Sequence, residues 1–379
     1  MIQSPGVLLT IVAFLALIGP LVFVHEMGHY WAGRLFGVKI DAFSIGMGRE
    51  IAGWTDKRGT RWKLGPLPIG GYVRFAGDMN AISQPSAEWL ALPAAERMAT
   101  FQAKPVWQRA IIVAAGPVVN FLLAVLILGG FAMAYGDLRT PPVAASVQPG
   151  SAAARAGVRP GERIVAIDGR RIETFDQIAM AVMTRPGEQV RLDLERGAAR
   201  RSVAVTIGAV EEADRFGNRH RIGRLGLAPG PTVVAPVGLA EAPGVAVGRV
   251  RAILGMMTDT LGQIVTGRRS VKELGGPLQI AKASGEQMSL GWNDFVGLIA
   301  LVSINLGFIN LLPIPTLDGG HLFFYAIEAV RRRPVEARVQ EWAYRGGLAA
   351  LLALMLFVTV NDLGSFGLWQ RLAGLVGLA

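Results

Sequence analysis

Apolar residues dominate the chain and gather into four long runs. The first extends from Val7 to Phe36, the second from Ala110 to Tyr135, the third from Phe295 to Leu312 and the fourth from Gly346 to Val360. A helix of about 20 residues crosses a bilayer core, so each run predicts a membrane-spanning helix, the last one borrowing residues beyond its ends. The stretch from Val245 to Thr266 is also rich in apolar residues, but Arg249, Arg251 and Asp259 interrupt it. It predicts an amphipathic helix lying on the membrane surface.

Two segments follow a shorter period. Between Val38 and Phe75, strand-like pieces are joined at Asp56-Lys57-Arg58-Gly59, a turn signal. Between Ala144 and Ile178, alternation in ERIVAIDG, a turn at Asp168-Gly169 and helical spacing from Phe175 predict a small α+β unit. A further strand pair, EQVRLDLERG and RRSVAVTIG, turns near Arg196-Gly197.

Composition agrees with a membrane protein: 51% of the 379 residues are hydrophobic and 17% charged, against the quarter typical of soluble domains. The formal net charge is +10, yet the basic residues form no aromatic-interleaved stripe, and nucleic-acid binding is not expected. They instead mark orientation. Arg49, Lys57, Arg58, Arg61 and Lys63 lie between the first and second runs, and Arg331, Arg332, Arg333, Arg338 and Arg345 between the third and fourth. The positive-inside rule places both connections in the cytoplasm and both chain ends outside. The first run lacks the basic start and small-residue cleavage site of a secretion signal, so it reads as a retained span. There is no cysteine, so any metal must be held by His, Asp or Glu.

Such a set occurs in LVFVHEMGHY. His25 and His29 are four apart, on one face of a helix, and flank Glu26. An ionised carboxylate in lipid costs at least about 2.5 kcal/mol, and two imidazoles at this spacing can bind one zinc ion. Catalytic zinc usually takes three protein ligands and a water. The candidate third ligand is Asp318 in NLLPIPTLDGGH, where Pro313 and Pro315 break the helix and Gly319-Gly320 permits unusual backbone angles. His321 is a rival ligand, and His220 reads as solvated in a charged loop. On the predicted topology both motifs lie near the inner ends of spans running inwards. His25 is about 14 Å of helix from Arg34, which puts the centre in the cytoplasmic half of the bilayer.

The segment from Pro142 to Pro229, especially AGVRPGERIVAIDG, resembles a PDZ domain, a class that accepts a peptide C-terminus as an added strand. It can equally be a spacer or a size filter over the entrance. Together with HExxH and NLLPxPxLDGG, the pattern resembles the site-2 protease family of intramembrane zinc metalloproteases, in its bacterial regulator of sigma-E protease branch. A known branch member has two PDZ domains in tandem where this chain has one. The resemblance implies zinc held by His25, His29 and Asp318, with Glu26 as catalytic base. GPVVN places Asn120 on the family's GPxxN element, a candidate for substrate binding, and Asn310 matches the asparagine that holds substrate. The family's membrane-associated β-hairpin corresponds to Val38–Phe75, whose edge at Gly70, Gly71, Tyr72 and Val73 is a candidate for pairing with an unwound substrate.

The expected fold is therefore a polytopic α-helical membrane protein with four transmembrane helices, a cytoplasmic-side membrane-associated β-hairpin and an inserted extracytoplasmic PDZ domain. Its segments are residues 1–36 (first span), 37–105 (cytoplasmic loop and hairpin), 106–135 (second span), 136–230 (PDZ), 231–293 (amphipathic region), 294–330 (third span and LDGG), 331–345 (basic loop) and 346–379 (fourth span and tail). The expected activity is cleavage within single-span proteins of a bacterial inner membrane, such as a trimmed anti-sigma factor or a signal-peptide remnant, with lipid as the other partner. An inert PDZ adaptor and a metal transporter are the competing classes. Intact His25, Glu26, His29 and Asp318 oppose the first, and the lack of carboxylates or histidines in the second and fourth apolar runs opposes the second.

Overall fold

The computed structural model describes residues 6–77, 89, 91–183, 185–213, 219–267 and 275–365. They form two compact units, one of Met1–Gly130 with Pro243–Ala379 and one of Phe131–Ala242. Four helices are long and apolar enough to cross a membrane: Val7–Leu35, Val106–Tyr135, Trp292–Asn310 and Ala337–Leu363. The chain is a polytopic helical membrane protein.

In the first unit, α1 (Val7–Leu35) leads into a sheet of β1 (Ile40–Met47), β2 (Ala52–Thr55), β3 (Arg61–Leu64) and β4 (Leu67–Phe75). The sheet contains a hairpin as part of a larger arrangement. β2 and β3 are its antiparallel arms, β1 lies parallel to β3, and β4 pairs antiparallel with β1 in the order β2-β3-β1-β4. The turn forms where the sequence signalled it: the Asp56 carboxylate accepts the Arg58 and Thr60 N–H groups and the Trp62 Nε1–H. Gly59 supplies the left-handed residue with φ +82°.

After a short α2 (Ala94–Met98) comes α3 (Val106–Tyr135). The remaining helices of this unit are α6 (Ala242–Val265), α7 (Pro277–Leu290), α8 (Trp292–Asn310), α9 (Asp318–Arg331) and α10 (Ala337–Ser365). Part of the apolar face of the amphipathic helix α6 packs on protein: Val250 joins a buried cluster with Ala124 of α3 and Ala300 and Ile304 of α8, while Val247, Met256 and Val265 stay exposed. The fourth span is longer than its apolar run, because the helix already begins at Ala337 and takes Arg338 and Arg345 out of the basic loop. Near its far end the buried Asp362 carboxylate accepts the Gly276 and Gln279 N–H groups, each at 3.3 Å, and thereby caps α7.

The second unit contains α4 (Ala152–Arg155) and α5 (Phe175–Met183), with strands β5 (Asp137–Arg139), β6 (Ala144–Val147), β7 (Arg163–Ile167), β8 (Arg170–Arg171), β9 (Gln189–Arg196), β10 (Ala199–Thr206), β11 (Gly208–Ala213), β12 (Arg219–Arg224), β13 (Leu227–Pro229) and β14 (Val233–Ala235). The main sheet is antiparallel in the order β10-β9-β7-β8, and β11–β12, β13–β6 and β14–β5 form separate pairs. Alternation along β9 buries Val190, Leu192 and Leu194 against Ile164, Ile178 and Val205. Asp168 and Gly169 turn with φ of 49° and 79°, the geometry of a tight hairpin. His220 lies in β12, paired with Glu212, rather than in a loop.

Candidate metal centre

His25 and His29 share one face of α1, and each is 8% exposed, as is Glu26 between them. The Nε2 atoms of the two histidines are 3.3 Å apart. Asp318 Oδ2 is 3.2 Å from His25 Nε2 and 3.5 Å from His29 Nε2. Among the described residues these three make a group able to hold a metal ion, and His321 is not part of it.

The separations test the fit. Zinc bonds of about 2.0–2.1 Å at tetrahedral angles place ligand atoms about 3.3 Å apart, and the three observed distances bracket that value. Asp318 Oδ2 is buried without a hydrogen-bond partner, a costly state for a carboxylate oxygen unless a cation satisfies it. On His29 the opposite nitrogen is already committed: Nδ1–H donates to the Ile112 carbonyl at 2.9 Å, which leaves the Nε2 lone pair for the centre.

Close helix packing makes the approach possible. A Cβ on Gly28 would be 2.5 Å from the Ala115 carbonyl, and one on Gly116 would overlap the His29 ring. Absence of side chains at both positions lets α1 and α3 cross at the site. The same holds between α3 and α8, where Gly307 accommodates Phe121 and Pro117, and Ser303 Oγ donates to the Asn120 carbonyl at 2.8 Å.

Asp318 is placed by the break after α8. Pro313 and Pro315 end regular structure, and α9 restarts at Asp318, whose carboxylate lies in the first turn where unpaired N–H groups favour an anion. Gly319 and Gly320 do not take unusual angles as the sequence suggested; they are ordinary helical residues. Their smallness serves contact instead, since side chains there would strike the carbonyls of Leu311, Leu312 and Ile314. Farther along α9, Glu328 pairs with Arg109 of α3 at 2.7 Å, and the Arg109 guanidinium lies 4.9 Å from the centre of the Tyr325 ring. The helix bearing the third ligand is thus tied to the helix behind the histidines.

Of the other sequence candidates, Gly71 of β4 touches the site: a Cβ there would be 2.9 Å from Glu26 Cγ and 2.7 Å from the Ser44 carbonyl. The Val73 backbone N–H faces the Glu26 carboxylate. Gly70 has φ +146°, and Tyr72 is 37% exposed. Asn310 is the half-buried last residue of α8. Asn120 is fully buried, its amide 3.0 Å from His25 Nδ1. Sequence reasoning missed the Ile112 carbonyl, which any residue would supply and no side chain announces. It also passed over the packing roles of Gly28 and Gly116, for which a small residue inside a motif is the available signal.

A polytopic membrane protein with a buried HExxH helix facing a carboxylate from a separate helix is of the metallopeptidase class. The chain belongs to peptidase family M50, which it matches over residues 13–354. It is 44% identical over 360 residues to "Putative zinc metalloprotease Atu1380" of Agrobacterium fabrum, covering 94% of this chain and 96% of that one. It is 37% identical over 395 residues to "Metalloprotease MmpA" of Caulobacter vibrioides, covering 98% and 99%.

Proposed function

We propose that the chain is an intramembrane zinc endopeptidase that hydrolyses peptide bonds within transmembrane segments. The observation that carries this reading is the convergence of His25, His29 and Asp318 within bonding range of one ion, beside Glu26 and between membrane-spanning helices. Zinc in that set polarises a carbonyl and brings the pKa of a water towards about 7. Glu26 accepts the proton of the attacking water and passes it to the amine that leaves when the C–N bond breaks. The described residues hold one such cluster rather than a series of them, which favours a catalytic centre over an ion path.

A transmembrane helix satisfies its own backbone hydrogen bonds, so its peptide groups must be freed before attack. The strand β4 suits that task, because it is an edge strand whose main chain at Val73 turns towards Glu26. Residues two apart on a strand turn the same way, so Gly71 offers the next outward pair to an extended substrate. Asn310 is available beside the segment that carries Asp318. We assign the second unit as a PDZ domain acting as a peptide clamp or a size filter. Both chain ends lie outside a bacterial inner membrane, with the centre in its cytoplasmic half and a single-span protein as substrate, such as an anti-sigma factor or a signal-peptide remnant.

The test measures zinc content and cleavage of a single-span reporter for wild type and Glu26→Gln. The variant should retain zinc and lose roughly 10²–10⁴-fold in rate. Normal cleavage by the variant would rule out the mechanism.

A further inference from the structure

The geometry points to Asn120 as a positioning residue for the metal centre, its side-chain carbonyl accepting the His25 Nδ1–H and so directing the Nε2 lone pair at the ion. This rests on the metal-centre reading above.

The argument starts from the two nitrogens of His25. Nε2 faces Asp318 Oδ2 at 3.2 Å and His29 Nε2 at 3.3 Å, so a metal held by this group takes the Nε2 lone pair. A neutral imidazole then carries its proton on Nδ1. The atom 3.0 Å from Nδ1 is the Asn120 amide, drawn with Nδ2 towards the ring. Two N–H donors cannot face each other at that distance. The amide oxygen and nitrogen are distinguished only by their partners, and turning the amide over places Oδ1 where an acceptor is required. As oriented, Oδ1 is buried without a donor. Rotation carries the NH2 into that place, so the His25 contact, and not a count of bonds, decides the orientation.

Position on α3 supports the same role. Ile112, Gly116 and Asn120 are each one turn apart on one face. Ile112 accepts from His29, Gly116 gives that ring its room, and Asn120 reaches His25. One stripe of α3 therefore orients both histidines of α1. The Ser303 hydroxyl bonds the Asn120 main-chain carbonyl and fixes this turn against α8. With no exposed surface, Asn120 is better placed behind the ligand than against a substrate.

The experiment compares purified full-length wild type, Asn120→Leu and Asn120→Asp. Zinc affinity is read by competition with a chromogenic chelator, and ligand geometry by the visible spectrum of each cobalt-substituted protein. Asn120→Leu keeps the volume and removes the acceptor; it should weaken zinc binding 10–100-fold and alter the cobalt bands. Asn120→Asp keeps the acceptor and should bind zinc at least as tightly as wild type. Wild-type affinity and spectrum in Asn120→Leu overturn the inference, as does a loss in Asn120→Asp equal to that in Asn120→Leu. If Asn120→Leu does not fold, the Asn120→Asp arm decides alone: zinc binding as tight as in wild type or tighter supports the inference, and a loss of about 10-fold or more overturns it. A wild-type protein that takes up no zinc overturns the metal-centre reading itself.

Discussion

Gly116 lies so close to His29 Nε2 that a single methyl group at this position would overlap the imidazole. The ring cannot retreat freely, because Nδ1–H is held by the Ile112 carbonyl on the same helix. Gly116→Ala should therefore displace a metal ligand without removing one. We expect zinc affinity to fall about 10–100-fold, as for loss of an orienting partner, with cleavage falling in parallel. Elemental analysis of purified protein, with thermal unfolding in detergent as the fold control, checks this. A fully zinc-loaded and active Gly116→Ala protein would show that α1 and α3 are not locked at this crossing.

Asp318 and His321 are competitors by sequence and unequal in the structure. Asp318 Oδ2 meets both histidine Nε2 atoms, whereas His321 is not part of that group and has its ring centroid 6.5 Å from that of Tyr325. Asp318→Asn should lower zinc affinity by at least the 10–100-fold that loss of an outer partner costs. His321→Ala should leave the metal in place. Parallel zinc titrations separate the two, and a greater loss in His321→Ala would exchange their roles.

Periodicity made the spans legible because lipid demands long apolar helices. HExxH was legible because three ionisable groups in such a run need compensation. The turns at Asp56–Gly59 and Asp168–Gly169 also stand where their residue types said. What stayed hidden was cooperative. The parallel pairing of β1 with β3 depends on contacts between segments of similar local pattern. At α6, spacing alone does not show that Val250 packs against α3 and α8 while Val247 and Met256 stay exposed. Glycine gave half its message: at Gly319 and Gly320 the sequence shows that a side chain is missing, but only the fold shows that space, and not a backbone angle, is the reason.

Gly71 offers a way to disturb the base while sparing the ligands. A Cβ there meets Glu26 Cγ at 2.9 Å and the Ser44 carbonyl at 2.7 Å, and the strand is fixed by pairing Gly71 with Ile45. Gly71→Val should push Glu26 aside. Misplacement by about 1 Å can cost about 100-fold in rate, and we expect a loss of that order in kcat with zinc content near that of wild type. Reporter cleavage at saturating substrate measures it; zinc loss equal to the activity loss would mean that the strand supports the histidines instead.

In the second unit, Glu162 provides a pH-dependent contact away from the metal. Its buried carboxylate accepts from Arg201 Nε and from the terminal guanidinium nitrogen at 2.9 and 2.8 Å, and from the Arg159 N–H at 2.8 Å. The Arg201 hydrogen bonds, opposed by burial, hold the Glu162 pKa below the usual carboxylate value of 4.5. A depressed folded-state pKa contributes stability that is fully present above the unfolded value, and the contribution is lost as pH falls through the folded one. Protection of the β7 and β10 amides from hydrogen exchange should therefore weaken on acidification below about pH 4.5. Glu162→Gln should lower protection already at pH 7, by about 1.5–3 kcal/mol for hydrogen bonds to a charged group, and flatten the acid dependence. Exchange mass spectrometry of the full chain from pH 3.5 to 7 reads both effects, and an acid profile unchanged in Glu162→Gln would assign the dependence to another carboxylate.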